Sequence, residues 1–188
     1  NKANSKFDRD KLIEFNRDVV ANLPVAEFAA ELKATRPDLE LTDQQWAWLA
    51  EAFHERARTL CDPFDAGAFI WALDETTSDA TYDAKAVKKW LMKNDAQGLS
   101  DLKKARESLA AIGDGFTPEA IEAALEACVA EHGMKNLGSV AQPLRVAVSG
   151  TAVTPPIHLT LALIGKAETI KRIDACLAVF KDAAKAKH

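Results

Sequence analysis

Two arginines and one loop with consecutive prolines are the residues whose type and spacing suggest chemistry. Arg56 falls within residues 46–60, where the apolar spacing predicts a helix, and a helical wheel places it at the edge of the apolar stripe. An arginine there can lay its stem on the core and present its planar guanidinium to a polar ligand. The alternative is that Arg56 is a surface residue in a local ion pair, and the sequence pattern alone favours this alternative.

The second candidate is the segment around Arg145 and the loop that follows it. Arg145 lies beside the apolar face of its predicted helix, and residues 149–156 run through Thr154, Pro155 and Pro156 into the next helix. Consecutive prolines withhold backbone donors but leave carbonyls and the Thr154 hydroxyl available, and a helix start can hold polar ligands. The alternative for this loop is a stiff connector.

No pattern of an enzyme or a metal site accompanies these residues. There is no phosphate-binding glycine loop, no nucleophile elbow and no Cys–His pairing at a diagnostic spacing. Cys61, Cys128 and Cys176 are far apart, and no histidine stands at ligand spacing from them. The sequence therefore predicts no catalytic residue, no metal ligand and no cofactor-binding residue in this chain.

The elements that must position the candidate residues are predicted to be helices throughout. Capping boxes are predicted at Thr42 with Gln45 and at Ser139 with Gln142, and Thr117 followed by Pro118 is typical of a helix start. Residues 144–148 could form a strand because two valines are β-branched, but the apolar spacing there favours a helix. Since no alternation of strands and helices occurs, the predicted class is all-α.

Composition and charge limit the remaining possibilities. The chain has 188 residues, 48% of them hydrophobic and 28% charged, with a formal net charge of -4, which is typical of a folded protein and excludes a wholly cationic surface. No apolar run reaches the ~20 residues of a membrane helix, so we expect a cytoplasmic protein that does not bind membranes. The polar segment 74–83 predicts two helical subdomains, residues 1–80 and 81–188.

Several motifs, in order along the whole chain, resemble the bacterial glutamyl-tRNA synthetase family. The most specific is VAQPLRVAVSGTAVTPPI at residues 140–157. Further stretches that resemble the family are residues 6–12, 55–60, 82–86, 133–138, 163–166 and 172–173. The resemblance is to the C-terminal anticodon-binding region, and the ATP-binding motifs of the family have no counterpart in this sequence.

The resemblance implies both a fold and a function. In that family this region is an all-α cage of two packed helical subdomains that reads the anticodon loop of glutamate tRNA, while a catalytic domain attaches glutamate with ATP. The implied partners are glutamate tRNA and the N-terminal catalytic domain of the same polypeptide, in a monomeric protein. The 188-residue chain alone is expected to be inactive and to hold no cofactor, since ATP and Mg²⁺ belong to the catalytic domain.

The resemblance also implies roles for five residues. Arg56 resembles the arginine that reads the third anticodon base, and Arg145 resembles another arginine that contacts the anticodon. Thr154, Pro155 and Ile157 resemble the loop that meets the splayed-out bases, although relatives often carry leucine where Ile157 stands. Arg58 remains a surface residue or a phosphate contact. The alternative function is a standalone helical interaction or regulatory module without its own RNA-binding or catalytic role.

Overall fold

A computed structural model describes residues 8–71 and 81–181, and every regular element within these two ranges is helical. The all-α prediction is therefore confirmed. The chain divides into two compact units, residues 1–68 and 69–188. Most of the polar segment on which the sequence placed a boundary lies outside the described residues, so the division at 80/81 remains a prediction.

Three longer helices and two short ones make up residues 8–71. They are α1 (Arg9–Asn22), α2 (Val25–Thr35), α3 (Asp43–Phe53), α4 (Asp62–Ala66) and α5 (Ala68–Trp71). Helix α1 begins at Arg9, because the Asp8 carboxylate accepts hydrogen bonds from the backbone of Asp10 and Lys11. Helix α3 begins with the predicted capping box, in which Thr42 and Gln45 bond each other's backbone amides.

The core of the first unit forms where α2 packs on α3, around Phe28, Leu32 and Leu49, which are fully buried. His54 closes one end of this core: its imidazole lies 5.3 Å from the Phe28 ring, and its Nε2 is 2.8 Å from the carbonyl oxygen of Leu23. The turn between α1 and α2 is thus fixed to the end of α3, immediately before the segment that carries Arg56.

The prediction that one helix runs through residues 46–60 is wrong beyond Phe53. The backbone amides of Arg56 and Ala57 both donate to the Phe53 carbonyl, which forms a closing turn, and the Asp62 carboxylate then accepts from the Arg58 amide at 2.8 Å. An aspartate that captures a backbone donor competes with the next helical bond. The apolar spacing misled because Ala57 remains buried although it is no longer helical.

The second unit is built largely from six helices and a π-helical segment. They are α6 (Ala84–Ala86), the π segment (Val87–Leu91), α7 (Lys93–Ala111), α8 (Pro118–Glu131), α9 (Gly138–Ser149), α10 (Ile157–Ile164) and α11 (Lys166–Val179). Helix α7 packs against α8, α9 and α11 and forms the centre of this unit. The core contains Leu91, Leu102, Leu109, Ile121, Leu125, Leu144, Leu161 and Ile173, all fully buried.

A left-handed turn interrupts the backbone at the start of α7. Asn94, Asp95 and Ala96 have φ values of 52°, 54° and 61°, a conformation that residues with a Cβ rarely adopt. Two residues later, a Cβ built on Gly98 would lie 1.8 Å from the Trp90 carbonyl oxygen. The turn thus folds α7 back so closely on the π segment that only glycine fits at position 98.

Helix starts in the second unit follow the sequence at α8 but not at α9. The Thr117 hydroxyl accepts from the Ala120 amide in front of Pro118, as predicted. At α9 the predicted capping box at Ser139 is wrong, because the helix already begins at Gly138 and no side chain caps it. The Leu137 carbonyl accepts from Val140 and Ala141, which places Ser139 inside the first turn. Residues 144–148 are helical, as favoured.

Candidate nucleic-acid interface

Arg56 lies on the exposed closing turn after α3, in the first unit. The wheel position inferred for it is therefore wrong, since the helix has ended, but its side chain does face solvent. The turn is held by Asp62, which accepts from the Thr59 hydroxyl at 2.7 Å and from the Arg58 amide. Burial raises the pKa of Asp62, but its hydrogen bonds from Thr59 and Arg58 outweigh this effect and the net pKa is lowered.

Arg58 is an exposed residue whose side chain pairs with the Asp62 carboxylate. Its Nε lies 3.5 Å from Asp62 Oδ2, and about three fifths of its side-chain surface remains exposed. An ion pair of this kind contributes at most about 1 kcal/mol. Arg58 therefore contacts the same Asp62 carboxylate that holds the turn, while Arg56, two residues earlier, is exposed on that turn.

Arg145 lies on α9 in the second unit and is half-buried, with its Nη1 atom shielded from solvent. The predicted position beside the apolar face agrees with this burial, because the neighbours Leu144 and Val146 are fully buried. The Arg145 carbonyl accepts a 2.9 Å hydrogen bond from the Ser149 hydroxyl, one turn later. The end of α9 and the beginning of the predicted loop are therefore connected directly to the Arg145 backbone.

The loop after α9 is shaped by a glycine and by short polar contacts. Gly150 has φ +74°, and its carbonyl accepts from the Asp83 amide at 2.8 Å. The Ser149 hydroxyl lies 3.2 Å from the Thr151 hydroxyl, and the latter donates to the Val153 carbonyl at 3.1 Å. Ser149 and Thr151 thus hold the first part of the loop through short-range bonds, and the Gly150 carbonyl attaches it to the backbone that precedes α6.

Thr154, Pro155 and Ile157 are buried in this structure, with Thr154 5% and Ile157 4% exposed. The expectation that the Thr154 hydroxyl and the Pro155 carbonyl are available is wrong. The Thr154 Oγ1 donates to the Pro155 carbonyl at 2.9 Å, and the Thr160 Oγ1 approaches the same oxygen at 3.4 Å. A carbonyl without a partner would be costly in a buried position, which explains why two hydroxyls converge on it.

The exposed surface of the loop comes from a residue that the sequence analysis did not select. Val153 is 79% exposed, the highest value among the large hydrophobic residues found exposed in the described chain. A lone valine between Ala152 and Thr154 belongs to no helical stripe, so periodicity gives no signal for it. Of the five predicted site residues, four share the second unit around this loop, and Arg56 belongs to the first.

No metal centre or membrane-spanning helix accompanies this surface in the described residues. Among residues 8–71 and 81–181, no group of three or more histidine, cysteine, aspartate or glutamate side chains is arranged to hold a metal ion. No helix in the same ranges is long and apolar enough to cross a membrane.

Comparison with known proteins identifies relatives of this arrangement. The chain is 34% identical over 182 residues to a glutamate–tRNA ligase of Corynebacterium efficiens, covering 93% of this chain and 35% of that protein. It is 43% identical over 124 residues to glutamate–tRNA ligase 1 of Gluconobacter oxydans, covering 66% of this chain and 24% of that protein. The chain thus spans about a third or less of the length of these curated relatives.

Solved structures show the same fold. A glutamate tRNA ligase from Elizabethkingia meningosepticum matches 94% of this chain and 34% of its own, with a TM-score of 0.72 and 23% identity. The glutamate-tRNA synthetase of Elizabethkingia anophelis matches 94% of this chain and 33% of its own, with a TM-score of 0.70 and 23% identity. The sequence profile described as "Anticodon binding domain" matches residues 23–177, which include all five predicted site residues. This chain belongs to the anticodon-binding domain family.

Proposed function

We propose that this chain binds the anticodon loop of glutamate tRNA, as part of a longer glutamate–tRNA ligase. The observation that carries the proposal is the anticodon-binding family match over residues 23–177, which spans the exposed turn of Arg56 and the fixed loop beside Arg145. The relatives named above are glutamate–tRNA ligases, and they give no support to the alternative of a standalone regulatory module.

The chemistry of single-stranded RNA recognition suits these residues. Unpaired bases are read by stacking on flat groups and by hydrogen bonds to their edges, and a guanidinium does both. Arg56 is held on an exposed turn, and Arg145 is a half-buried residue of α9. We propose that these two arginines read base edges.

The loop of residues 149–157 would act through its shape. Buried Thr154, Pro155 and Ile157 set the path of the backbone, so that Val153 and the exposed backbone meet the bases. The three buried residues then contribute to recognition by holding the loop, which differs from direct contact by all three side chains.

The catalytic role belongs to the longer protein. We propose that ATP and Mg²⁺ bind in the part of the ligase that this chain does not cover. The whole ligase would act as a cytoplasmic monomer, in which the N-terminal catalytic domain and this region contact the same tRNA. Purified chain should form no glutamyl-tRNA in an aminoacylation assay, and product formation would contradict this assignment.

Anticodon stem-loops provide the direct test. Fluorescence anisotropy should show that the wild-type chain prefers the stem-loop of glutamate tRNA over that of glutamine tRNA. Arg56→Ala should reduce this preference by about 5- to 100-fold, since a good bidentate base contact discriminates by about 1–3 kcal/mol. Arg17→Ala, which removes another exposed arginine of the first unit, is the matched control. The assignment of Arg56 fails if its removal leaves the preference unchanged.

A further inference from the structure

Four exposed lysines follow one another closely at the start of the second unit. Lys85, Lys88, Lys89 and Lys93 fall within nine residues of a chain whose net charge is -4. We call these four residues the lysine cluster. All four are exposed, while Ala86 and Leu91 of the same segment are buried.

The lysine cluster is mounted on a backbone that is held firmly in place. It spans α6 and the π segment and ends at the left-handed turn of residues 94–96. The π segment is packed against α7 so tightly that Gly98 leaves no room for a side chain. Single turns of π-helix occur frequently at functional sites. The backbone that carries the four lysines is therefore tightly packed against α7.

The electrostatics of the cluster differ from those of several arginines among the described residues. Arg36, Arg106 and Arg172 each pair with a carboxylate within 3 Å. None of the four clustered lysines lies within salt-bridge distance of a carboxylate among the described residues; the Lys89 ammonium instead sits 4.6 Å from the Trp90 ring centroid. Adjacent positive charges repel one another, so an anionic partner would bind favourably there.

One hydrogen bond connects the segment that carries the lysine cluster to the loop of residues 149–157. Asp83 caps α6 through the Ala86 amide, and its own amide donates to the Gly150 carbonyl at 2.8 Å. The first lysine is thus two residues from the contact that fixes the root of the loop. A polyanion that reaches the loop therefore passes next to the beginning of the cluster, which favours RNA over an anionic membrane.

We propose that the lysine cluster binds backbone phosphates of the same RNA whose anticodon the chain reads. This inference rests on the proposed function and adds a second, sequence-independent contact to it. Phosphate contacts position a nucleic acid without reading its bases, and they make binding salt-dependent through the release of counterions. The cluster would supply affinity and orientation, while Arg56 and the loop would supply the choice of anticodon.

A salt titration of tRNA binding tests the cluster. The double variant Lys88→Gln with Lys89→Gln should reduce the magnitude of the slope of log binding constant against log salt concentration by about 1.4–1.8. Each phosphate contact contributes about 0.7–0.9 to this slope, and the variant removes two such contacts. The ratio of affinities for glutamate and glutamine stem-loops should stay unchanged. Lys88→Arg with Lys89→Arg should retain the wild-type slope, and Lys103→Gln with Lys171→Gln, an equal loss of charge elsewhere in the second unit, should change it little. Circular dichroism confirms that each variant is folded.

The outcomes separate this inference from the proposed function. An unchanged slope in the Lys88/Lys89 glutamine variant, with the anticodon preference intact, contradicts phosphate binding by the lysine cluster. It leaves the proposed function standing. A reduced slope in a chain without anticodon preference supports the cluster and contradicts the reading of the anticodon. Phosphatidylserine vesicles provide the last probe: wild-type binding to them that the glutamine substitutions abolish, with no effect on tRNA, would assign the cluster to a membrane and overturn the inference.

Discussion

Gly150 lies so close to Thr81 that a Cβ at position 150 would approach the Thr81 carbonyl oxygen to 2.5 Å. The same residue has a left-handed backbone, and its carbonyl accepts the amide proton of Asp83. Glycine is therefore required here for two independent reasons, one conformational and one steric. The close approach fixes the protein loop after α9, which is predicted to contact the anticodon, against the residues that lead into α6.

Gly150→Ala should destabilise the second unit by about 2–4 kcal/mol, because it adds a steric clash to an unfavourable left-handed conformation. Urea unfolding followed by circular dichroism measures this change. Gly113→Ala is the matched control, since a Cβ there meets nothing within 4 Å and φ is not positive. Equal effects of the two substitutions would show that the contact with Thr81 is not tight in solution.

Arg172→Ala should cost about 2–4 kcal/mol of unfolding free energy. Its guanidinium donates to the Phe69 and Val148 carbonyls and pairs with Glu168, and its side chain is only 12% exposed. Removing it leaves buried acceptors without this donor. Arg106→Ala breaks an equally short but more exposed pair with Asp174 and should cost no more than about 1 kcal/mol. The order of the two losses in thermal or urea unfolding is the measurement.

Thr42→Ala should lower stability by about 1 kcal/mol, because it removes the acceptor for the Gln45 amide at the start of α3. Thr42→Ser keeps a hydroxyl at the same place and should restore most of the loss. The comparison by urea unfolding tests the capping box itself, and a serine variant as unstable as the alanine variant would point to lost packing of the threonine methyl group.

Stability should fall as the pH rises above about 9. Burial raises the pKa of the Cys176 thiol to about 12 and raises that of Tyr82 above its ordinary value near 10. Because both groups are neutral when folded and ionise more easily when unfolded, their stabilisation is complete below these ordinary values and is lost as pH rises towards the folded values. Each group contributes a slope of up to about 1.4 kcal/mol per pH unit.

The variant Tyr82→Phe tests that dependence with little change in packing, since the ring still faces Phe180 at 5.3 Å between centroids. Urea unfolding at pH 8, 9.5 and 10.5 should give a shallower decline for the variant than for the wild type. Parallel declines would mean that the Tyr82 hydroxyl titrates normally in the folded protein.

Val153→Ser should weaken the binding of glutamate anticodon stem-loops several-fold while changing stability by less than about 0.5 kcal/mol. The side chain is 79% exposed, so it contributes little to the folded core and is available to an unpaired base. Val25→Ser, at an exposed hydrophobic residue of the first unit, is the matched control for lost apolar surface. Equal binding by both variants would remove Val153 from the interface.

Several helix starts were predictable from local chemistry, although the start of α9 was not. Asp8, Thr42 and Thr117 all accept the backbone bonds expected of N-caps, because capping depends on residues within three positions of one another. The end of α3 was not predictable in this way. It depends on Asp62 reaching back to Arg58 after Ala57 has continued the apolar spacing beyond the helix.

The candidate site divides along the same line. Exposed Arg56 and half-buried Arg145 became candidates through the family resemblance, since the sequence pattern alone favoured a local ion pair for Arg56, and their roles remain predictions. The burial of Thr154 and Ile157 could not be predicted, because it is set by packing against residues distant in sequence. Nor did the apolar pattern reveal the π segment or the left-handed turn, after which Gly98 lies too close to the Trp90 carbonyl for any side chain.

The bond between Asp83 and Gly150 also has a consequence for how the chain acquires its binding surface. It joins residues on either side of α7, α8 and α9, so its formation must bring together two segments that are far apart in sequence. Contacts between distant residues form late, because the entropy of closing the intervening loop must first be overcome. We therefore expect the base of the loop after α9 to acquire its fixed position late in folding.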